Sequence, residues 1–362
     1  MTADLEAVDL IRVRLPLVRP FRTSFGTMAE KEAILVRAVD ADGAEGWGEC
    51  VAGAEPSYSE EWNDAAWLLL RDVLAPAALA GRDPGVRGNP MARSALDLAL
   101  LDVDLRRRGV SLAAHLGGTR ERVSCGVSLG IEERIEDLLP QVESRLAEGY
   151  RRVKLKIEPG RDVEVVREVR EAFPDASLSA DANAAYLPAD AGHLAGLDHL
   201  GLAYLEQPLP ADHLLGHADL QERLTTPVCL DETITSATVA AEAIRLGACR
   251  VINIKMGRVG GPGPAKAIHD LARAQGIPVW CGGMLETGIG RAANLALASL
   301  PGFTLPGDTS ASARYFPFDL TEPFVMDPDG TIAVPSGPGL GVAPIPDILE
   351  RASVERTTVR AG

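Results

Sequence analysis

Five short runs decide the architecture: RVKLKI (152–157), SLSADAN (177–183), LAYLEQP (202–208), PVCLDET (227–233) and RVINIKM (250–256). Each joins apolar residues to one polar residue near its C-terminal end, namely Lys156, Asp181, Glu206, Asp231 and Lys255. Successive polar residues lie 25, 25, 25 and 24 positions apart. A fixed interval of that size marks one supersecondary unit repeated. Working outward, VSCGVSL (123–129) precedes this block, and PVWCGGM (278–284) and FTLPGD (303–308) follow it, making eight runs. Helical stretches separate them. Between the second and third runs, Val166, Val169 and Phe173 share one helical face, with Glu164, Arg167, Glu168 and Arg170 turned away from it. Apolar strands alternating with helices predict a parallel sheet. Eight such units predict its closure into an α/β fold, a (β/α)8 barrel, over residues 121–319.

The flanks do not follow that pattern. Residues 1–120 read as α+β: the runs 33–39 and 46–50 flank Asp40-Ala41-Asp42-Gly43, a hairpin signal. Two helical stretches follow, and in the second Leu96, Ala99, Leu100 and Val103 fall on one face. Gly117-Gly118 ends the region. After residue 319 come the turn Asp327-Pro328-Asp329-Gly330, the strand-like 331–334 and a Gly/Pro-rich stretch, 336–341. The tail, residues 320–362, is expected to return to the N-terminal region and build one capping domain with it.

Composition narrows the function classes. Apolar residues form 46% of the 362, enough for a large core. Against 36 Lys and Arg stand 51 Asp and Glu, a net charge of −15. That field repels nucleic acid and anionic lipid. No apolar run approaches the ~20 residues of a membrane span, and the N-terminal stretch MTADLEAVDLIRVRL lacks a basic segment followed by an apolar one. Five scattered cysteines without CxxC spacing read as reduced thiols, so a cytoplasmic location is expected.

The chemistry sits at the strand ends, which converge on one face of a barrel. Asp181, Glu206 and Asp231 end strands three, four and five. One such acid alone would read as a helix cap or a partner for a surface arginine. Three facing one point repel each other and remain ionised together only near a cation. Oxygen-only ligands favour a hard ion, Mg²⁺, with Mn²⁺ also accepted. Lys156 and Lys255 end strands two and six, on opposite sides of that point. A lone strand-end lysine reads as a salt bridge, and Lys154 taken singly could be one. A flanking pair around an acid triad reads as acid/base groups acting on the proton next to a small-molecule carboxylate, whose enolate a divalent ion would stabilise. His213 and His217, four apart, lack a third ligand for a metal. The segment 257–263 resembles neither a dinucleotide fingerprint nor a P-loop, and Pro262 removes a donor.

These residues carry a resemblance. Lys154-Leu155-Lys156, Asp181-Ala182-Asn183, Glu206-Gln207-Pro208, Asp231-Glu232 and Lys255 resemble the enolase superfamily, muconate-lactonising subgroup. LEQPL (205–209), CLDET (229–233), NIKMGRVGG (253–261), WCGGMLETGIGRAAN (280–294) and LPGDTSAS (305–312) resemble its o-succinylbenzoate synthase and N-succinylamino acid racemase family. The resemblance implies Mg²⁺ bound by Asp181, Glu206 and Asp231, and an acid/base pair of Lys156 and Lys255. It implies that Lys154 helps hold the substrate carboxylate and that Asn183 and Glu232 complete the metal surroundings. Ser128, Gly283 and Met284 would line the pocket, with residues 20–26 and the loop around Cys50 closing over it. Arg258 resembles the arginine of the racemase-containing branch, where a guanidinium beside Lys255 would lower its pKa. Two reactions are implied: racemisation of N-acylamino acids, and the synthase dehydration of menaquinone biosynthesis, in which Lys156 performs both steps. The resemblance also implies a homo-oligomer. A dipeptide epimerase or muconate cycloisomerase would share these catalytic residues. A Schiff-base aldolase on Lys255 is a further alternative, as is a barrel without catalysis.

Overall fold

The computed structural model describes residues 5–23 and 26–361; residues 1–4, Ser24, Phe25 and Gly362 lie outside it, and with them part of the N-terminal stretch and of the 20–26 segment. Strands β1 (Leu5–Thr23), β2 (Gly26–Asp40) and β3 (Glu45–Cys50) form an antiparallel meander. Its side chains divide by the two-residue period of a strand. Val8, Leu10, Ile34, Val36 and Ala38 pack with Trp67, Leu70 and the helix Pro90–Arg108. Ile11, Val13, Leu15, Ala33 and Leu35 enter the core shared with the barrel. The sheet is therefore buried on both faces, and each fully buried aliphatic side chain contributes about 1.5–3 kcal/mol.

The helix Pro90–Arg108 starts on a proline whose missing N–H is no loss in a first turn, and ends on Gly109 at φ 66°. It lies directly on β3. A Cβ at Gly48 would stand 1.9 Å from the Ala95 carbonyl oxygen, and one at Gly46 2.2 Å from that of Ala99. Only glycine permits that separation.

Within the barrel region the parallel sheet runs β5 (Gly126–Leu129), β6 (Arg152–Lys156), β7 (Leu178–Asp181), β8 (Leu205–Glu206), β9 (Val228–Leu230), β10 (Val251–Ile254) and β11 (Val279–Cys281), in chain order. Helices follow the strands; on Val163–Ala172, Val166 and Val169 are fully buried, as their spacing predicts. Eight strands were expected and seven form a regular ladder. The eighth run, 303–308, closes the ring through the bridges Val279↔Phe303 and Cys125↔Gly307. Pro306 has no N–H to give a ladder, which shortens the pairing there. The first run is also divided: β4 (Arg122–Ser124) leaves the barrel sheet to pair with β12 (Thr331–Ala333). The tail thus serves two parts of the molecule, since β13 (Ser353–Arg360) pairs antiparallel with β1.

The two parts of the molecule are joined by buried polar contacts. Glu49 on β3 accepts hydrogen bonds from Thr287 N, Thr287 Oγ1 and Gly290 N, capping the helix Gly288–Ala298 of the barrel. Asp102 accepts from Trp47 N and from Leu340 N of the tail. The β1–β2 hairpin extends past its own sheet, where Ile131 N donates to Arg22 O at 3.2 Å and Val18 N to Tyr315 O at 2.8 Å.

Candidate active site

Register brings the strand-end residues together. Lys156 is the direct cross-strand neighbour of Asp181, and Asp181 of Glu206. Asp231 and Lys255 immediately follow β9 and β10. Beneath them a small cluster of Tyr204, Cys229, Val251 and Trp280 fills the barrel interior. The Lys154 ammonium stands 4.6 Å from the Trp280 ring centroid, a cation–π contact that floors the polar layer.

That layer holds five cations, Arg152, Lys154, Lys156, Lys255 and Arg258, among five carboxylates, Asp181, Glu206, Asp231, Glu232 and Asp308. Lys156 Nζ donates to Asp181 Oδ2 at 2.6 Å and to Asn183 Oδ1 at 2.5 Å. Lys255 Nζ donates to Asp231 Oδ2 and to Tyr58 Oη, each at 2.8 Å. Lys154 is engaged by three carboxylates, Glu206 at 2.8 Å, Asp308 at 3.0 Å and Asp181 at 3.2 Å. Asn253 Nδ2 bridges Glu206 Oε1 and Asp231 Oδ1, both at 2.9 Å. Glu206 is thus linked to each of the other two acids by a shared donor, Lys154 towards Asp181 and Asn253 towards Asp231. Among the described residues no three acid, histidine or cysteine side chains already enclose a single point as ligands.

Charge is unevenly compensated. Burial pushes Asp231 up, but Arg258 and Lys255 override it and hold the carboxyl well below its usual range. Burial also opposes Asp181, and Lys156 and Lys154 bring it down. Glu206 goes the other way: burial and the neighbouring Asp181 charge push it up to about 8, despite Lys154. Burial and Asp231 raise Glu232 to about 7. Its Oε1 accepts from Asn183 at 3.0 Å, while its buried Oε2 finds no hydrogen-bond donor. Two acids are therefore short of positive charge. An oxygen-only donor set with that deficit fits a hard divalent cation.

Arg258 was expected to lower the pKa of Lys255. Its guanidinium does oppose the ammonium, as burial does more strongly, but Asp231 and Tyr58 outweigh both and the net direction is upward. Arg258 binds Asp231 Oδ1 directly.

The remaining expected residues surround one opening. Ser128 Oγ donates to Asp308 Oδ1 at 3.2 Å. Gly283, Met284, Asn183, Lys156 and Lys255 border a cavity of about 510 Å³, closed on its other side by Phe21, Thr27 and the loop from Val51 to Tyr58. A smaller recess of about 70 Å³ continues down to Ser128, Lys154 and Asp308. Backbone strain collects at this rim, where Asn183 and Leu285 have positive φ, and just behind it, where Ala184 and Gln207 do. His213 and His217 lie elsewhere. His217 is buried, accepts from Leu209 N and, through Nδ1, bonds the His213 carbonyl; desolvation pulls it down to about 4.

Sequence reasoning missed three contributors. Asp308 ends the eighth run as the other acids end theirs, and that position was its signal. Asn253 lies two residues before Lys255 on the same side of β10, a period-2 relation. Tyr58 belongs to a capping loop and carries no local signal.

Known proteins resemble this chain along nearly its whole length. The family model described as "Enolase C-terminal domain-like" matches residues 137–348, and "Mandelate racemase / muconate lactonizing enzyme, N-terminal domain" matches residues 7–117. The chain is 55% identical to N-succinylamino acid racemase of an Amycolatopsis species, covering 98% of this chain and 99% of that protein. It is 49% identical to o-succinylbenzoate synthase of Geobacillus kaustophilus, covering 99% and 97%. The structure of muconate lactonizing enzyme from Pseudomonas fluorescens, complexed with muconolactone, is more distant at 27% identity, with a TM-score of 0.91 and coverage of 98% and 100%. In sequence, fold and strand-end chemistry alike, the chain belongs to the mandelate racemase/muconate lactonizing enzyme family of the enolase superfamily.

Proposed function

We propose that this chain removes and returns the proton α to a carboxylate, racemising N-acylamino acids such as N-succinylamino acids and carrying out o-succinylbenzoate synthase dehydration in the same site. The observation that carries this reading is the pair of lysines. Lys156 and Lys255 come from strands two and six of an eight-unit ring and border one cavity. A substrate between them presents one face to each. In racemisation one neutral amine takes the α-proton and becomes an ammonium, while the opposite ammonium gives its proton to the other face of the enolate. In dehydration Lys156 takes the proton and then returns it to the departing hydroxyl, which leaves as water, and Lys255 stays charged. Asp181, Glu206 and Asp231 would hold Mg²⁺ or Mn²⁺, which supplies positive charge to the enolate oxygens when bound. Lys154, Ser128, Gly283 and Met284 would contact substrate, with Asn183, Glu232 and Arg258 in support.

Choosing this reading over a dipeptide epimerase or muconate cycloisomerase rests on the names of the two nearer relatives. A Schiff-base aldolase would have no need of the three carboxylates that converge between these lysines. Five buried, unpaired thiols suit a reducing compartment, so a cytoplasmic homo-oligomer is part of the proposal. The test is the optical rotation of N-succinyl-L-phenylalanine with Mg²⁺. Decay to zero, stopped by chelator and by Lys255→Ala, is expected. An unchanged rotation with dehydration intact would reduce the function to the synthase reaction.

A further inference from the structure

Lys156 and Lys255 are held by different parts of the molecule. An amine nitrogen has three positions besides its carbon, and two fixed acceptors orient the third. Both acceptors of Lys156, Asp181 and Asn183, belong to the barrel. Lys255 has one barrel acceptor, Asp231 Oδ2, and one from the capping loop after β3, Tyr58 Oη. The Tyr58 ring also lies under the ammonium, 4.7 Å from Nζ to its centroid. Tyr58 is itself fixed: Arg258 donates to Oη at 2.9 Å, and Oη donates to Asp231 Oδ2 at 3.5 Å.

The geometry points to Tyr58 as a positioning residue for Lys255 alone, so that proton transfer on the Lys255 face requires the capping loop to be closed while transfer on the Lys156 face does not. The inference rests on the racemase reading above. With two N–H bonds directed at Asp231 and Tyr58, the third position of Nζ carries the lone pair of the neutral amine, which takes the α-proton, or the third proton of the ammonium, which it delivers. Without the hydroxyl, one acceptor remains and the amine is less well fixed about Cε–Nζ. Nothing equivalent happens at Lys156.

The test follows each face separately. N-succinyl-D- and N-succinyl-L-phenylalanine are incubated with the Mg²⁺-loaded enzyme in D₂O, and loss of the α-proton signal is followed by NMR. Lys255→Ala identifies the enantiomer whose proton faces Lys255. In Tyr58→Phe, exchange of that enantiomer should slow by about 10- to 100-fold, in kcat rather than KM, and exchange of the other by less than about 3-fold. Tyr58→Leu, which also removes the ring, should deepen the same one-sided loss. Equal slowing of both enantiomers, or of neither, would overturn the inference and leave the racemase standing. Wild-type enzyme that exchanges neither enantiomer would overturn both.

Discussion

The lower and upper layers of the barrel interior come from the same strands and do opposite things. On β9, Cys229 packs with Trp280 while Asp231, two residues on, binds Lys255 and Arg258. On β10, Val251 belongs to the apolar cluster, while Asn253 bridges Glu206 and Asp231. A step of two residues along a strand keeps the side and changes the depth. The lower layer stabilises by excluding water. The upper layer assembles charges whose desolvation is costly, offset by the opposite charges paired within it. Stability and chemistry are separated by about one side-chain diameter.

That division can be broken by mutation. The largest effect is expected for Lys156→Ala, which should cut both racemisation and dehydration by about 10⁴-fold. Its unfolding free energy should change by no more than about 1–2 kcal/mol, since water in the cavity can replace the amine beside Asp181. A variant that unfolds would make the upper layer structural. Trp280→Ala should do the reverse, losing about 3–5 kcal/mol in urea denaturation because a large fully buried ring leaves a cavity. Full stability in that variant would mean that the lower layer holds nothing together.

A third expectation concerns pH. The folded pKa of His217 is depressed to about 4 against an ordinary 6.5. The unfolded chain therefore binds its proton first, and the contribution is complete above pH 6.5 and lost as pH falls towards 4. The expected loss is about 3 kcal/mol, and His217→Gln should flatten that limb of the stability curve. A slope unchanged by the substitution would assign the acid loss to other groups. The smallest effect belongs to the capping part: Gly48→Ala should cost about 1–3 kcal/mol by forcing the helix Pro90–Arg108 off β3. Unaltered thermal unfolding would mean that the helix shifts freely.

The upper layer was far more legible in the sequence than what covers it. Lys156, Asp181, Glu206, Asp231 and Lys255 repeat at one interval because each ends the same βα unit, so periodicity alone exposes them. Asp308 obeys the same rule but follows Pro306 and Gly307 in a stave with little ladder, which hides it as a strand end. The β1–β2 hairpin was only half visible: 33–39 reads as a strand, whereas Pro16 and Pro20 interrupt the alternation of β1. Tyr58 lies 197 residues from the lysine it touches. No local pattern specifies a contact of that span, because the capping loop is placed by the packing of the capping sheet on the barrel.

The weak eighth stave bears on the order of assembly. Seven strands can pair successively as the chain lengthens, but the ring closes only when Gly126 N bonds Gly307 O, at 2.6 Å, and Asp308 N bonds Cys281 O, at 2.9 Å. Asp308 is also the carboxylate that joins Lys154 and Arg152. Closing the seam therefore also brings Arg152 its carboxylate partner and Lys154 its third. A chain stalled at seven staves would retain most of its secondary structure with Arg152 lacking its carboxylate partner, and that open edge should be the first place where amide protons exchange with solvent.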